Sequence, residues 1–421
     1  MKKKLLIFIS LLLVAAMATG CAYLPGALFG DMLTTSGTTR TTTTTTTSAG
    51  GDTVTISREE YERYQQFDVL LELMDMADAY YYEEVDTQAM LDGAANGLLV
   101  GLGDPYTFYY TPEEYAELWE EDEGEYAGVG IQISTSYLTG LCTVSRVFDN
   151  GPAREAGIHK GDILYMVEDL YVNSSTINDA VDIMRGTPGT DVNVTVLRGT
   201  EEMHFVLTRA TITVNRIESG MLDGNIGYIM LYEFAGDCSV EFEKHLKALE
   251  AQGIEGLIID LRDNPGGWVD DAEEIADLFL DKGTLCYLQY KDGSREYYRT
   301  KTAVTDRLKM PLVILVNENS ASSSEILTGA LKDRANATVV GVQSYGKGIV
   351  QSVVPLEGGA GMQMTVAQYY TPNGNAVHKL GITPDVEIHL PQGDNGMYEF
   401  GDLNDPQLAK ALEVMQQKLG K

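Results

Sequence analysis

Apolar and polar positions change period several times along the chain. Tyr61, Tyr64, Phe67, Leu71, Met74 and Tyr81 recur at spacings of 3, 3, 4, 3 and 7, the stripe of an amphipathic helix. Ser57 with Glu60 three residues on forms a capping box at its start. A second helix is expected over Asp86–Leu102, ended by Gly103-Asp104-Pro105. A third opens at Pro112 and runs out in the acids Glu120 to Glu123, a solvated face. From 126 to 212 the pattern becomes β-rich. Val129–Ile133, Cys142–Val147, Ile163–Val167, Val192–Arg198 and Met203–Leu207 read as short strands between Gly and Pro turns, with one helix at Ile177–Arg185. From Ile226 onward, strands at Ile226–Leu231, Gly256–Leu261, Leu312–Val316 and Thr338–Val342 alternate with helices at Ser239–Ala251, Asp270–Leu280 and Ser322–Asp333. That alternation predicts a largely parallel sheet covered on both faces. The expected class is multidomain α+β: a helical segment over 57–122, a β-domain over 123–212, an α/β core over 213–398 and a helical tail over 399–421.

The first residues carry a different message. Lys2, Lys3 and Lys4 precede an apolar run, Leu5 to Ala16, that is too short to span a bilayer. Ala18-Thr19-Gly20-Cys21 then resembles the lipobox of bacterial lipoproteins. The resemblance implies a signal peptide at 1–20, acylation of Cys21 and an extracytoplasmic chain held at the cell membrane by its lipid alone. A plain secretory signal is the alternative. Between Thr34 and Thr47, eleven of fourteen residues are Thr; no core can form there, so 21–56 is expected to be a disordered tether. Three cysteines remain, Cys142, Cys238 and Cys286. An odd number cannot pair within one chain, and they are expected to be buried small hydrophobes.

Charge narrows the partners. The 421 residues hold 30 Lys+Arg against 62 Asp+Glu, a formal charge of −32, and losing the three signal lysines takes it to −35. A phosphate backbone demands the opposite sign, so nucleic acid is excluded as a partner. No His, Cys or carboxylate spacing matches a metal site, and no cofactor motif is present; none is expected.

Two segments could carry chemistry. Ser320-Ala321-Ser322-Ser323-Ser324-Glu325 follows an apolar strand and opens a helix, where free backbone N–H groups can stabilise an oxyanion. Ser322-x-x-Glu325 is equally a capping box, and N-cap serines are far commoner than nucleophiles. Tyr345-Gly346-Lys347-Gly348-Ile349-Val350-Gln351 follows another strand, and its glycines let Lys347 approach other backbone closely. As a general base a lysine must shed its proton, which demands a dry, enclosed setting; the alternative is a turn lysine in water. None of the five histidines lies in a G-x-S-x-G elbow, and His378 alone stays open as a base on sequence. Ser344-Tyr345-Gly346-Lys347 also matches S-x-x-K, but its glycines argue against the helix which that pattern needs.

In the β-domain, Tyr126-Ala127-Gly128-Val129-Gly130-Ile131, then Gly151-Pro152-Ala153-Arg154-Glu155-Ala156-Gly157, Lys160-Gly161-Asp162-Ile163-Leu164 and Arg185-Gly186-Thr187-Pro188-Gly189 occur in the order and spacing of a PDZ domain. The resemblance implies capture of a peptide C-terminus, with Gly128 and Gly130 admitting a carboxylate, a strand edge taking the peptide by β-augmentation and pockets beside Val129 and Ile131. Arg185 would touch that carboxylate or relay its presence, though a solvated arginine is the commoner case.

With these pieces, Leu102-Gly103-Asp104-Pro105-Tyr106-Thr107, Asp260-Leu261-Arg262-Asp263-Asn264-Pro265-Gly266-Gly267 and Leu380-Gly381-Ile382-Thr383-Pro384-Asp385-Val386, the chain from about residue 57 resembles the carboxy-terminal processing proteases, tail-specific serine peptidases. The resemblance implies a crotonase/ClpP-like spiral core and a Ser–Lys dyad with Ser322 as nucleophile, Lys347 as general base and Gln351 in support. It implies an oxyanion hole from the Ser323 N–H and one N–H of Gly266 or Gly267, and a supporting role at most for Asp333. Ser323 departs from the alanine usual there, which makes it a rival nucleophile. Protein substrates bound by their C-termini would be the partners. The helices before residue 120 and Asp405–Leu419 are candidate homodimer contacts, with packing on the core as the alternative. A non-catalytic PDZ scaffold is the competing function.

Overall fold

A computed structural model describes residues 23–24, 56–122, 125–135, 140–148, 150–301, 307–391 and 398–421. The proposed signal, Cys21 and nearly all of the Thr-rich tether lie outside these residues. The chain divides into two compact units, one formed by 25–113 with 353–364, the other by 1–24, 114–352 and 365–421.

In the first unit the capping box forms as its residues dictate. Ser57 Oγ accepts from the Glu60 N–H and Glu60 accepts from the Ser57 N–H, starting helix α1, Arg58–Tyr64. A 3₁₀ turn at Gln65–Phe67 separates it from α2, Asp68–Tyr80, so the single expected helix is broken in two. Asp86 caps α3, Thr87–Val100. Strand β1, Phe108–Tyr110, pairs antiparallel with Gly361–Gln363. Of the expected stripe, Tyr61, Tyr64, Phe67, Leu71 and Tyr81 are exposed and Met74 is partly buried; Leu73, Met76 and Tyr80, off the stripe, are exposed as well.

The second unit begins within helix α4, Pro112–Asp122. The β-domain follows. Strand β2, Glu125–Gly128, is followed by β3, Ile131–Thr135, and β4, Cys142–Val147. A short helix α5, Pro152–Ala156, leads to β5, Ile163–Val167, and β6, Leu170–Tyr171. Helix α6, Ile177–Met184, then precedes β7, Asp191–Arg198, β8, Glu201–Thr208, and β9, Ala210–Thr213. The main sheet runs in the order β3-β4-β5-β7-β8 with β6 on β5, so β3 is an edge strand. Strand β9 pairs instead with β2. The sequence places β3 two residues early because Val129 belongs to the apolar core, not to the strand.

The core is built on a six-stranded sheet. Its strands are β10, Ile217–Leu222, β11, Ile226–Leu231, β12, Gly256–Asp260, β15, Leu312–Val316, β16, Thr338–Gly341, and β19, Val386–Glu387, in that order. From β11 to β19 every pairing is parallel; β10 alone is antiparallel. Alternate residues serve opposite faces. Ile229, Leu231, Ile259 and Ile314 pack with helices α7, Cys238–Ala251, α8, Val269–Asp277, and α9, Ser323–Ala335. Tyr228, Ile258, Val313 and Leu315 pack under Leu408, Ala411, Leu412 and Met415 of α10, Pro406–Lys418. The tail therefore covers one face of its own sheet. A second sheet was not anticipated: β17, Ile349–Pro355, β18, Gly361–Tyr370, β13, Gly283–Tyr290, and β14, Arg295–Thr300, in that order.

One buried cation ties this tail to the strand that leads toward the glycine turn. The Arg262 guanidinium donates to Asp260 at 2.6–3.1 Å and to Asp405 at 2.6 Å, while the Tyr228 hydroxyl donates to Asp260 at 2.7 Å. Asp405 is also the N-cap of α10. Arg262→Met would leave two buried carboxylates without their cation. Urea unfolding should show a loss of about 3–5 kcal/mol; a loss below about 1 kcal/mol would show that the network adds little.

Candidate active site

The serine segment leaves the end of β15 and turns sharply into α9. Ser322 sits at the turn with φ 57° and ψ −117°, a conformation that a residue with a Cβ adopts only under constraint. The constraints are visible. Ser320 Oγ donates to the Leu261 carbonyl at 2.7 Å. The Ala321 N–H and Ser324 Oγ both donate to the Asn264 carbonyl, at 3.1 and 3.0 Å. The Ser322 side chain is fully buried, and its Oγ makes no hydrogen bond. The capping-box reading is therefore only half right. Glu325 Oε2 accepts from the Ser322 N–H at 3.0 Å, but the seryl Oγ makes no hydrogen bond to the helix it would cap.

The Glu325 carboxylate does more than close a helix. Oε1 accepts from Ser344 Oγ at 2.5 Å and the Gly346 N–H at 2.7 Å; Oε2 also accepts from the Lys347 N–H at 2.9 Å and the Tyr369 hydroxyl at 3.3 Å. One carboxylate thus binds the backbone of Ser322 and of Lys347. Burial pushes its pKa above 4.5, against the pull of the Ser344, Gly346, Ser322 and Lys347 hydrogen bonds. The Lys347 turn is held from its other side as well: the Lys379 N–H donates to the Gly346 carbonyl at 2.7 Å and the Tyr369 N–H to the Gly348 carbonyl at 3.0 Å. A Cβ on Gly348 would lie 2.0 Å from the His378 nitrogen, so only glycine lets these backbones cross. Lys347 is 4% exposed; it is no surface lysine.

Opposite the serine turn lies Asn264-Pro265-Gly266-Gly267. Asn264 is buried; its Nδ2 donates to the Leu231 carbonyl and its Oδ1 accepts from the Gly266 N–H, both at 2.8 Å. The Gly266 N–H is thus occupied, and Gly267 is the glycine whose N–H is left over. Both need to be glycine. A Cβ on Gly266 would press on Ser322 Cβ at 2.7 Å, and one on Gly267 would lie 1.9 Å from the Phe234 carbonyl oxygen. Ser323, also buried, donates through Oγ to the Gly267 carbonyl at 2.8 Å.

The remaining expected residues fall in several places. Gln351, fully buried on β17, donates through Nε2 to Thr365 Oγ1 at 3.1 Å and leaves Oε1 without a partner. Asp333 accepts from Thr371 Oγ1 and the Asn373 N–H, shaping the 371–374 turn. His378 forms no hydrogen bond to Ser322 Oγ. Ser344 lies outside any helix, and its hydroxyl both donates to Glu325 and accepts from the Ile382 N–H. Away from these segments, Gly130 is needed by packing: a Cβ there would lie 2.7 Å from Gly151 Cα. Gly128 lies against the Tyr126 ring, Val129 is core, and Ile131 begins the edge strand β3. Arg185 lies over the Tyr126 ring, 5.9 Å from its centre. The three expected buried cysteines are buried and free. Asn264 and the binding role of Glu325 were missed. Their signal was only their place within two matching motifs.

The fold and these segments agree with what the chain is similar to. The peptidase family S41 pattern matches residues 225–388, the PDZ pattern 127–208, and the N-terminal domain of the activating protease CtpB 28–114. The carboxyl-terminal-processing protease of Synechocystis sp. is 36% identical over 332 residues, 76% of each chain. Carboxy-terminal processing protease CtpA of Bacillus subtilis is 33% identical over 77% of this chain and 70% of its own. The solved photosystem II D1 C-terminal processing protease superposes with a TM-score of 0.57 at 26% identity, covering 94% of this chain and 95% of that one. The chain belongs to the carboxy-terminal processing proteases, serine peptidases of family S41 that carry a PDZ domain.

Glu325→Gln keeps the size but turns an amide N–H₂ toward N–H and O–H donors. Peptidase activity should fall by about 10²-fold, because the serine and lysine turns lose their common register. Glu325 also sets a pH signature. Its folded pKa is raised, so its contribution to stability is present below the unfolded value and lost as pH rises through the folded one. Urea unfolding across about pH 4–7 should show that component in the parent and not in Glu325→Gln. Equal pH slopes would refute it.

Proposed function

We propose that this chain is a lipid-anchored, extracytoplasmic endopeptidase that cleaves proteins near their C-termini by a Ser322–Lys347 dyad. The observation that carries the dyad is the Glu325 carboxylate, which hydrogen-bonds the backbones of Ser322 and Lys347 at 3.0 and 2.9 Å. Two residues 25 apart in sequence are thereby anchored to one group in an enclosed volume.

In this mechanism the neutral Lys347 amine takes the Ser322 Oγ proton as Oγ adds to the scissile carbonyl. The negative charge forms on the carbonyl oxygen. The N–H of Ser323, at the positive end of α9, and the N–H of Gly267 receive it. The lysine ammonium then protonates the leaving amine, giving an acyl-enzyme and a freed C-terminal fragment. Water, deprotonated by the same amine, releases the acyl group. Gln351 lines the same strand as a polar support. Because Ser322 Oγ makes no hydrogen bond as it stands, an Oγ–Nζ hydrogen bond must form when substrate arrives.

The PDZ domain would hold the substrate's C-terminus. Support comes from the edge position of β3, whose free side can accept a peptide strand beside Gly128, Val129, Gly130 and Ile131, with Arg185 nearby. The anchor rests on Cys21 and its preceding small residues; among the described residues no helix is long and apolar enough to cross a membrane. A second copy of the chain is proposed to cover the exposed apolar side chains of α1 and α2, among them Tyr61, Tyr64, Phe67, Leu71 and Leu73.

Mass spectrometry of fragments from an unfolded test protein tests this reading. The parent should release C-terminal fragments, whereas Ser322→Ala and Lys347→Ala should release none above background. Retained turnover in Lys347→Ala would sink the dyad. Sedimentation should show a dimer that Leu71→Glu with Leu73→Glu dissociates; a monomeric parent would end the dimer proposal.

A further inference from the structure

The glycine turn and the helix start are separate segments, and the proposed oxyanion site needs one N–H from each. What fixes their spacing is visible at Gly267. The Phe234 N–H donates to the Gly266 carbonyl and the Trp268 N–H donates to the Phe234 carbonyl, both at 2.8 Å. Phe234 and Gly267 form a parallel bridge. In such a bridge the N–H and C=O of Gly267 itself both point away from Phe234. The Gly267 carbonyl on that far side accepts from Ser323 Oγ at 2.8 Å. The Gly267 N–H therefore faces the start of α9 as well.

We propose that the Ser323 hydroxyl is a positioning group for the oxyanion site, spacing the Gly267 N–H from the Ser323 N–H by bonding the Gly267 carbonyl. The proposal rests on the reading of Ser322 as nucleophile. It also gives the departure from the usual alanine a physical meaning. Ser323 is fully buried, so its hydroxyl meets no water and is committed to this one acceptor. As a donor held by a carbonyl, with no base beside it in the hydrogen-bond network, it is poorly placed to be a nucleophile. Removing it leaves the Gly267 carbonyl without that donor and lets the turn drift from the helix. The links through Asn264 to Ala321 and Ser324 survive, so the site loosens without collapsing.

The test is Ser323→Ala in the full chain, with steady-state kinetics on a peptide substrate and inhibition by a peptide aldehyde of the same sequence. The aldehyde forms a tetrahedral adduct whose oxyanion occupies the site, so it reads oxyanion binding directly. We expect kcat to fall about tenfold, less than the ~10²–10³ of losing a donor outright. KM should stay within about twofold, and aldehyde affinity should fall by the same factor as kcat/KM. Ser323→Thr, which restores the hydroxyl, should recover most of both. If Ser323→Ala does not fold, Ser323→Cys, of similar volume with a weak donor, carries the same comparison. Parent-like kcat and aldehyde affinity in the variant would overturn the proposal, as would a lowered melting temperature with unchanged aldehyde affinity. A different failure marks the underlying reading: turnover surviving in Ser322→Ala, or a serine-reactive phosphonate labelling Ser323, would remove Ser322 as nucleophile.

Discussion

A single buried carboxylate sets the geometry on which the site depends. Glu325 accepts hydrogen bonds from the Ser322, Gly346 and Lys347 backbones and from the Ser344 and Tyr369 hydroxyls. A carboxylate removed from water is costly unless its lone pairs are filled, and five donors fill them. The same bonds draw a helix start, a glycine-flanked turn and a strand of the second sheet to one point. The strained φ of Ser322 persists because Asn264, Leu261 and Glu325 all grip its neighbours.

The scaffold behind this point is stiff. Four of the five parallel strands of the core sheet, β11, β12, β15 and β16, are buried, with α7, α8 and α9 on one face and α10 on the other, while β19 at the sheet's edge is partly exposed. Both proposed reactive segments leave adjacent strands, β15 and β16, at the same edge of that sheet. The glycine turn leaves β12, the other neighbour of β15. Three loops from three consecutive parallel strands thus converge at one end of the sheet, where such folds build their sites. The Arg262 network joins the β12 end to the cap of α10, so α10 is tied to the segment that carries Gly266 and Gly267.

Arg146 makes the most compact of the β-domain's polar contacts to the core; Lys160 Nζ adds another, to the Tyr398 carbonyl at 3.3 Å. Arg146 of β4 stacks on the Tyr232 ring at 3.5 Å and pairs with Glu218 at 3.5 Å, and the Tyr232 hydroxyl also donates to Glu218 at 2.8 Å. Tyr232 stands two residues before Phe234, which bridges Gly267. A buried cation between two domains is a contact with geometric preference, unlike a purely apolar seam.

The periods of the sequence were enough for the parallel strands, because residues buried on both faces must be continuously apolar. They were also enough for the Ser57 capping box, whose partners are three residues apart. Periodicity missed the second sheet, where Tyr, Arg and Gln interrupt the apolar pattern; β13 and β14 form a local hairpin, but its partner β18 lies far off in sequence. Periodicity marked the α1–α2 stripe, and most of that stripe is open in the single chain. The candidate chemistry came from motifs: resemblance singled out Ser322, Lys347 and Gln351. Only tertiary structure could show that Glu325 serves both reactive turns, that the Gly266 N–H is taken by Asn264, and that Ser323 is bonded to the Gly267 carbonyl. Each of those facts is a contact between residues 2 to 56 positions apart. Local sequence fixes which atoms are available, while packing alone decides which of them remain unpaired.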